Sequence, residues 1–292
     1  MNNNKKKIFL LGVGAQKAGT TWLHSQLSHN SNIDFGFRKE YHVFDAFGDQ
    51  KNAKIKRRLV RHVLEKKKNK SLGINANQKC FYLKLLSFLD NTQNYFDYFD
   101  YLYLKNDAVE LVGDITPSYA LLESNIFEHI KSELEKRDFE VKLVFLMRDP
   151  YERIWSNYRM GKRNNSLKGI NMTEEDEEGL RMSYQNSGIK RRTEYQRTVE
   201  ELEKVFSPKN IHYGFYENLF TEEGYGALSS FLGIDLLKPD FDYEVNVSPK
   251  TKDISESLKS EICNCYKETY MAIDKMSDGK SKELWRGYHY LE

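Results

Sequence analysis

The residues most suited to chemistry lie in the segment GVGAQKAGTTW, from Gly12 to Trp22. Gly14 and Gly19 have the separation of the two glycines in a nucleotide-triphosphate loop, G-x-x-x-x-G-K-[ST]. The position after the second glycine is Thr20, however, and the lysine comes three residues earlier, at Lys17. A glycine-rich turn before a helix directs backbone N–H groups and the positive end of the helix dipole at one point. The segment therefore predicts a binding site for a phosphate or a similar anion.

The position of Lys17 indicates which kind of anion this loop suits. In a triphosphate loop the lysine begins the helix and reaches the β- and γ-phosphates, and the next Ser or Thr holds Mg²⁺. With threonine in that slot and the lysine in the middle of the loop, the cation lies beside a terminal anion. This suits a donor with one 5′-phosphate that carries a leaving group. For the loop alone, a tight turn without a ligand is the alternative.

A second anion site is indicated further along the chain. Arg148 directly follows VKLVFLM, the clearest buried strand in the sequence, and Ser156 lies eight residues later in the following helix. Ligands of open α/β sheets bind at the carboxyl ends of the strands, where Arg148 is expected. Either residue alone could be an ordinary surface group, but the two together at this spacing favour a site beside the first loop.

These segments resemble a known family. KAGTTWL resembles the 5′-phosphosulfate-binding loop of the sulfotransferases, whose donor is 3′-phosphoadenosine 5′-phosphosulfate (PAPS). LVFLMRDPYERIWSNY is similar to their 3′-phosphate signature, and FYENL at 215–219 to a stretch of the cytosolic enzymes whose tyrosine approaches the adenine. The resemblance implies that the following residues bind PAPS or its product, the 3′,5′-bisphosphate PAP: Lys17, Ala18, Gly19, Thr20, Thr21, Trp22, Arg148, Ser156, Tyr216 and Lys250.

Three of these assignments concern particular parts of the donor. By resemblance, Thr20 and Thr21 bind the 5′-phosphate and Trp22 stacks on the adenine, with core packing as the alternative for this tryptophan. Lys250, in NVSPKTK, lies where the family has a basic loop over the 3′-phosphate. This segment lacks the arginine-lysine-glycine pattern of the cytosolic enzymes.

The segment RKEYHVFD, Arg38–Asp45, is called the base segment below, because it offers a general base for an acceptor hydroxyl. It resembles the K-E-x-H-F-F-D segment of heparan-sulfate-type sulfotransferases, which implies that Glu40 is the catalytic base. His42 shares its side in an extended segment, and is a helper or the base itself. In the next motif, GDITPSY, Ile115 stands where the glycan enzymes have a lysine. Asp114 retains an acidic residue at the position of their glutamate.

The expected activity is in-line transfer of a sulfuryl group from PAPS to a hydroxyl, or an amine, of a carbohydrate or small molecule. Lys17 and the loop N–H groups would stabilise the leaving phosphate oxygen. No metal is required, and no metal-binding constellation is expected. Two alternatives remain: a P-loop nucleotide kinase or NTPase, and a non-catalytic nucleotide- or glycan-binding module.

The elements that must position these residues predict an α/β fold. Buried strands alternate with helices, which favours a three-layer sandwich around a central, mainly parallel sheet with a P-loop-like phosphosulfate-binding loop. Helices are expected at about 118–136 and from about Ile254 to Met276. We predict one domain over residues 1–292, with a helical acceptor-side insertion at about 48–110 and a mobile loop at about 161–192.

Composition excludes some functions. The chain has 292 residues, with 45 Lys and Arg against 43 Asp and Glu, so its net charge of +2 argues against a surface built for nucleic acid.

No apolar run approaches the roughly 20 residues that span a bilayer. Three cysteines form no disulfide framework. We expect a cytoplasmic protein without a cleaved leader, since cleavage would remove the glycine loop. The sequence gives no indication of oligomeric state.

Overall fold

The central feature of the fold is a five-stranded parallel sheet. The computed structural model describes residues 6–46, 54–57, 60, 76–165, 174–245 and 253–292. The strand order is β2-β3-β1-β4-β5. The strands are β1 (Ile8–Gly14), β2 (Ile33–Asp34), β3 (Leu111–Ile115), β4 (Glu140–Met147) and β5 (Ile211–Phe215). The predicted α/β class with a parallel central sheet is confirmed.

The interior position of β1 and β4 follows from their sequences. Every residue of β1 is buried, and so is every residue of β4 after Glu140. Such continuous apolar strands are typical of parallel sheets that helices cover on both faces. Because all five strands are parallel, their carboxyl ends meet at one edge, and the loops that follow them lie together there.

Thirteen helices have bounds within the described residues. They are α1 (Thr20–Ser28), α2 (Ala76–Asp90), α3 (Gln93–Leu104), α4 (Ser124–Glu135), α5 (Pro150–Asn165), α6 (Glu174–Ser183), α7 (Ser187–Thr193), α8 (Tyr195–Glu203), α9 (Tyr216–Leu219), α10 (Glu222–Leu232), α11 (Glu256–Cys265), α12 (Lys267–Met276) and α13 (Lys280–Leu284). None of the helices described is long and apolar enough to cross a membrane.

Two predicted helices are divided. The helix expected at 118–136 is a 3₁₀ turn at Pro117–Leu121 followed by α4, because Leu122 and Glu123 are extended. The helix expected from Ile254 to Met276 is α11 followed by α12, with a break at Tyr266. The hydrophobic pattern crosses both breaks, which explains why the sequence alone predicted continuous helices.

The prediction of a loop at 161–192 is wrong for the described residues of that range. They belong to the end of α5, to α6 and to most of α7. Local composition is polar, but Leu180 and Asp176 are buried against the rest of the protein. Tertiary contacts therefore stabilise helices where the local sequence favours a loop.

The insertion contributes aromatic side chains to the core. Tyr95, Phe96 and Phe99 of α3 are fully buried. The Tyr95 ring packs edge-on against Phe44 of the base segment, with ring centroids 5.0 Å apart. These contacts place the aromatic side chains of α3 in the core. Most of the segment 51–68, which is rich in lysine and arginine, lies outside the described residues.

Asp114, at the end of β3, connects three parts of the chain. Its fully buried carboxylate accepts hydrogen bonds from Thr116 Oγ1 (2.6 Å), the Tyr119 hydroxyl (2.9 Å) and the Tyr95 hydroxyl (3.1 Å). A longer contact, 3.4 Å, comes from the backbone N–H of Tyr41 in the base segment. Burial raises the pKa of Asp114 to about 6, although these donors act in the opposite direction. The base segment is thus fastened to the sheet through a buried acid.

Replacement of Asp114 by Asn should destabilise the fold. The variant places an amide NH₂ group against donors that need an acceptor. We expect the free energy of unfolding at neutral pH to fall by about 1–3 kcal/mol, the scale of a buried donor left without an acceptor. Urea denaturation followed by circular dichroism measures this change. The exposed Asp107→Asn variant is the control, and equal losses in both variants would contradict the role of Asp114.

Candidate active site

A cavity of about 820 Å³ opens at the carboxyl edge of the sheet, where the segments after β1, β3, β4 and β5 meet. Its walls include the following residues singled out from the sequence: Lys17, Gly19, Thr20, Thr21, Trp22, Glu40, His42, Arg148, Ser156 and Tyr216. Ala18, in the same loop, is buried. Lys250 lies outside the described residues. Residues separated by as much as 200 positions in the chain therefore surround one space.

The glycine loop leads directly into α1. Gly19 occupies the N-cap position in a left-handed conformation, with φ of 82°, and Thr20 and Thr21 are the first two residues of α1. A side chain at Gly19 would meet Leu219 Cδ2 at 2.6 Å from its Cβ. Because Gly19 has no side chain to accept hydrogen bonds, the first N–H groups of α1 remain suited to an anion.

Lys17 lies among other cations. Its Nζ is 3.8 Å from Met160 Sδ of α5. Burial, followed by repulsion from Arg163, Arg148 and Arg159, lowers the pKa of Lys17 to about 8. A bound anion would relieve this repulsion and favour the charged ammonium.

Arg148 directly follows β4 and borders the same space. Its guanidinium carbon is 4.2 Å from the centre of the Tyr216 ring. Its nitrogens contact Glu152 Oε2 (3.1 Å) and the backbone oxygen of Lys17 (3.3 Å). Its buried Nε has no hydrogen-bond partner within the described part of the chain. Ser156 lies on the cavity wall one to two turns into α5.

The cavity face of α5 carries residues that were not predicted. Glu152, Arg159, Met160 and Arg163 all line the cavity together with Ser156. Their spacing of three or four residues is that of one helix face, so the helical pattern after Arg148 was a usable signal for them. The α5 face therefore continues the basic wall that begins at Arg148.

Glu40 is held between two cationic side chains. Glu40 Oε1 accepts a hydrogen bond from Lys39 Nζ at 2.6 Å, and Oε2 is 3.2 Å from His42 Nε2. Burial by itself would raise the pKa of Glu40, but the hydrogen bonds and charges of His42 and Lys39 outweigh it and lower the pKa to about 2. Glu40 is therefore a carboxylate at neutral pH.

His42 is in turn held between two carboxylates. Its Nδ1 is 2.8 Å from Asp45 Oδ2, opposite the contact of Nε2 with Glu40. Burial opposes the charged imidazolium, but Asp45 and Glu40 together raise the pKa of His42 to about 9. Ser118 contacts both His42 Nδ1 and Asp45 Oδ2. Asp45 and Ser118 were missed in the sequence, although Asp45 follows His42 by three residues.

The opposite wall is aromatic. Trp22 is buried, and its indole Nε1–H donates to the backbone oxygen of Asp240 at 3.3 Å. Its ring is nearly parallel to that of Phe241, with centroids 6.1 Å apart, and meets Phe220 edge-on at 4.9 Å. Trp22 thus packs in the core and also lines the cavity, as do Phe220 and Phe241, which were not predicted.

Within the described ranges, no three His, Cys, Asp or Glu side chains are grouped so that they could hold a metal ion. The cysteines described are free thiols: Cys263 is buried, whereas Cys80 and Cys265 are exposed.

The chain belongs to the sulfotransferase domain family, whose model matches residues 5–286. Among solved structures it is similar to a sulfotransferase from Alicyclobacillus acidocaldarius, with 15% identity, a TM-score of 0.51, and coverage of 92% of this chain and 95% of the other. The sulfotransferase domain of the Synechococcus PCC 7002 olefin synthase gives 16% identity and a TM-score of 0.45 over 81% of this chain and 77% of that one. No curated protein matches the sequence.

The charge of His42 can be measured directly. We expect its ring proton signals in NMR spectra to titrate near pH 9, because two carboxylates stabilise the imidazolium. In the Asp45→Asn variant the midpoint should move down towards the ordinary value of 6.5. His24, whose pKa burial and then Lys39 lower to about 4, is an internal control and should not respond. A wild-type midpoint at the ordinary value would contradict the arrangement.

Proposed function

We propose that the protein transfers a sulfuryl group from PAPS to a hydroxyl, or less readily an amine, of a carbohydrate or small molecule. The family supports sulfuryl transfer in general. The observation that carries the finer proposal is the meeting of two cationic sites from separate segments of the chain, Lys17 and Arg148, in the same cavity as the Glu40 carboxylate. A donor with anionic groups at its 5′ and 3′ positions fits these two sites.

The residues present fit such a donor. The loop N–H groups, Lys17, Thr20 and Thr21 would hold the 5′-phosphosulfate. Arg148 and Ser156 would hold the 3′-phosphate. The unpartnered Arg148 Nε and the repulsion that lowers the pKa of Lys17 both indicate positive charge that an anion would compensate.

The aromatic wall would hold the adenine. Trp22 and Tyr216 both line the cavity, and the Tyr216 ring is already stacked against Arg148. Since Trp22 packs against Phe220 and Phe241, the adenine ring would contact a closely packed aromatic surface. Lys250 remains a proposed contact to the 3′-phosphate.

Sulfuryl transfer forms a bond from the acceptor oxygen to sulfur while the bond from sulfur to the phosphate oxygen breaks. Negative charge grows on the leaving phosphate oxygen, and Lys17 with the loop N–H groups would stabilise it. PAP then leaves with that electron pair. The acceptor hydroxyl must lose its proton. This requires a general base near the acceptor oxygen, on the side of the sulfur opposite the leaving phosphate oxygen.

Of Glu40 and His42, Glu40 is the residue that can accept a proton at neutral pH, although its low pKa makes it a weak base. Glu40 is ionised at neutral pH, whereas His42 is protonated and would have to lose its own proton before it could accept another. A cationic His42 would instead stabilise Glu40 and orient it. Both Glu40 oxygens have partners, so the acceptor hydroxyl must share or replace one of these contacts.

The acceptor would enter beside the base segment. Arg163 and Arg192, both in the 161–192 range, line this cavity, and Arg192 is close enough to Asp45 for their charges to interact. We propose that this range, with the insertion at about 48–110, borders the acceptor within a single domain. A screen of acceptors with labelled PAPS is the direct test of acceptor class.

Donor binding should require Arg148 and no Mg²⁺. Calorimetry in the presence of a chelator should detect PAP binding, with weaker binding of adenosine 5′-monophosphate, which lacks the 3′-phosphate. In Arg148→Ala we expect PAP affinity to fall by about 10- to 100-fold, or roughly 1.4–2.7 kcal/mol, and most of the 3′-phosphate preference to disappear. Arg137→Ala, which removes an arginine paired with Asp97 elsewhere, is the control. Tight binding of Mg-ATP without PAP binding would refute the proposal.

Glu40→Gln should abolish transfer while donor binding persists. Loss of a general base is expected to lower the transfer rate by roughly 10²- to 10⁴-fold, measured with labelled PAPS and an acceptor found by the screen. PAP affinity should stay within about threefold of wild type, since Glu40 does not contact the proposed 3′-phosphate site. Full activity in Glu40→Gln, together with loss of activity in His42→Gln, would move the base to His42.

A further inference from the structure

Lys39 lies behind the cavity wall, between two parts of the site. Its Nζ donates to Glu40 Oε1 at 2.6 Å and to Thr20 Oγ1 at 3.3 Å. Only 15% of the side chain is exposed. One ammonium therefore contacts both the carboxylate of the base segment and a hydroxyl of the glycine loop.

The contact fixes what the Thr20 hydroxyl can do. A lysine ammonium has three hydrogens to donate and no lone pair to accept. Thr20 Oγ1 must therefore be the acceptor from Lys39, and its own hydrogen points elsewhere. Since Thr20 lines the cavity, that hydrogen is available for a phosphate oxygen there.

The surrounding groups keep this ammonium in place. Burial lowers the pKa of Lys39 below its ordinary value, and Glu40 and then Asp114 of β3 oppose this shift and favour the charged form. From α1, His24 faces the same region and is neutral at ordinary pH, since its pKa is about 4. From the base segment, His42 and Asp45 form the pair described above. Lys39 is thus the cation that balances Glu40 on the side of the glycine loop.

We propose that Lys39 is a positioning residue that links donor binding to the base: it orients the Thr20 hydroxyl towards the donor phosphate and holds the Glu40 carboxylate ionised and in place. This role rests on the proposed function, because it requires a phosphate at the glycine loop. Donor binding and proton removal then depend on the same buried ammonium, although Lys39 itself contacts no reacting atom.

A double-mutant cycle on PAP affinity tests whether Lys39 orients the Thr20 hydroxyl towards the donor phosphate. We expect Thr20→Val to weaken PAP binding about 10-fold and Lys39→Met about 5-fold, each the loss of one hydrogen-bond interaction. If Lys39 acts through the Thr20 hydroxyl, the double variant should bind only about 10-fold more weakly than wild type, because coupled residues are not additive. An additive loss of about 50-fold would overturn the proposal.

The titration of His42 tests, without any ligand, whether Lys39 holds the Glu40 carboxylate. In Lys39→Met, Glu40 loses its other cationic partner and interacts more strongly with the imidazolium, so the NMR midpoint of His42 should rise above the wild-type value. An unchanged midpoint would overturn the proposal. Lys7→Met, which removes a partly buried lysine paired with Asp100 at 2.7 Å, is the matched control and should change neither readout.

Two further measurements keep the test decisive. Lys39→Gln, which retains a donor but no charge, replaces Lys39→Met if the latter fails to fold, and should raise the His42 midpoint in the same way. Wild-type protein that fails to bind PAP would refute the proposed function and the phosphate role of Lys39, whereas the His42 titration still reports separately on the contact between Lys39 and Glu40.

Discussion

The buried carboxylate of Asp114 is the constraint on which the site depends. Hydroxyl groups from α3 and from the turn after β3 donate to it, and the backbone of the base segment approaches it. The same turn fixes the base segment twice more, since Thr116 Oγ1 accepts from the Tyr41 N–H at 3.0 Å and the Tyr119 hydroxyl from the Val43 N–H at 3.1 Å. His42 lies between these attachment points and Glu40 directly precedes the first, so their positions follow from a hydrogen-bond network anchored in the sheet.

The charges of the site are organised in two groups. On the side of α5, Lys17, Arg148, Arg159 and Arg163 lie close enough that their mutual repulsion contributes to the lowered pKa of Lys17. In the base segment, positive and negative side chains alternate and largely compensate one another. An anionic donor would therefore be attracted to the first group, whereas the second can keep a carboxylate ionised beside it without a large net field.

Much of the proposed donor side could be predicted from sequence because it depends on local patterns. The local sequence sets the geometry of a glycine turn between a strand and a helix. It likewise sets the position of an arginine at the end of a buried strand. The base segment was only partly predictable. Glu40 and His42 were identified by their motif, but the sequence did not indicate a role for Lys39, since its contact with Thr20 depends on how two loops pack.

The sequence by itself determined the parallel α/β fold and the identity of the residues at the strand ends, because hydrophobic runs and glycine turns act over short distances. The tertiary structure decided which residues meet and which charges they carry. The pKa of Glu40 is low and that of His42 high because burial and neighbouring charges act through space. Tertiary contacts also decided that the polar region after α5 is largely helical where described, since Leu180 is buried and the buried Asp176 pairs with Lys162 of α5.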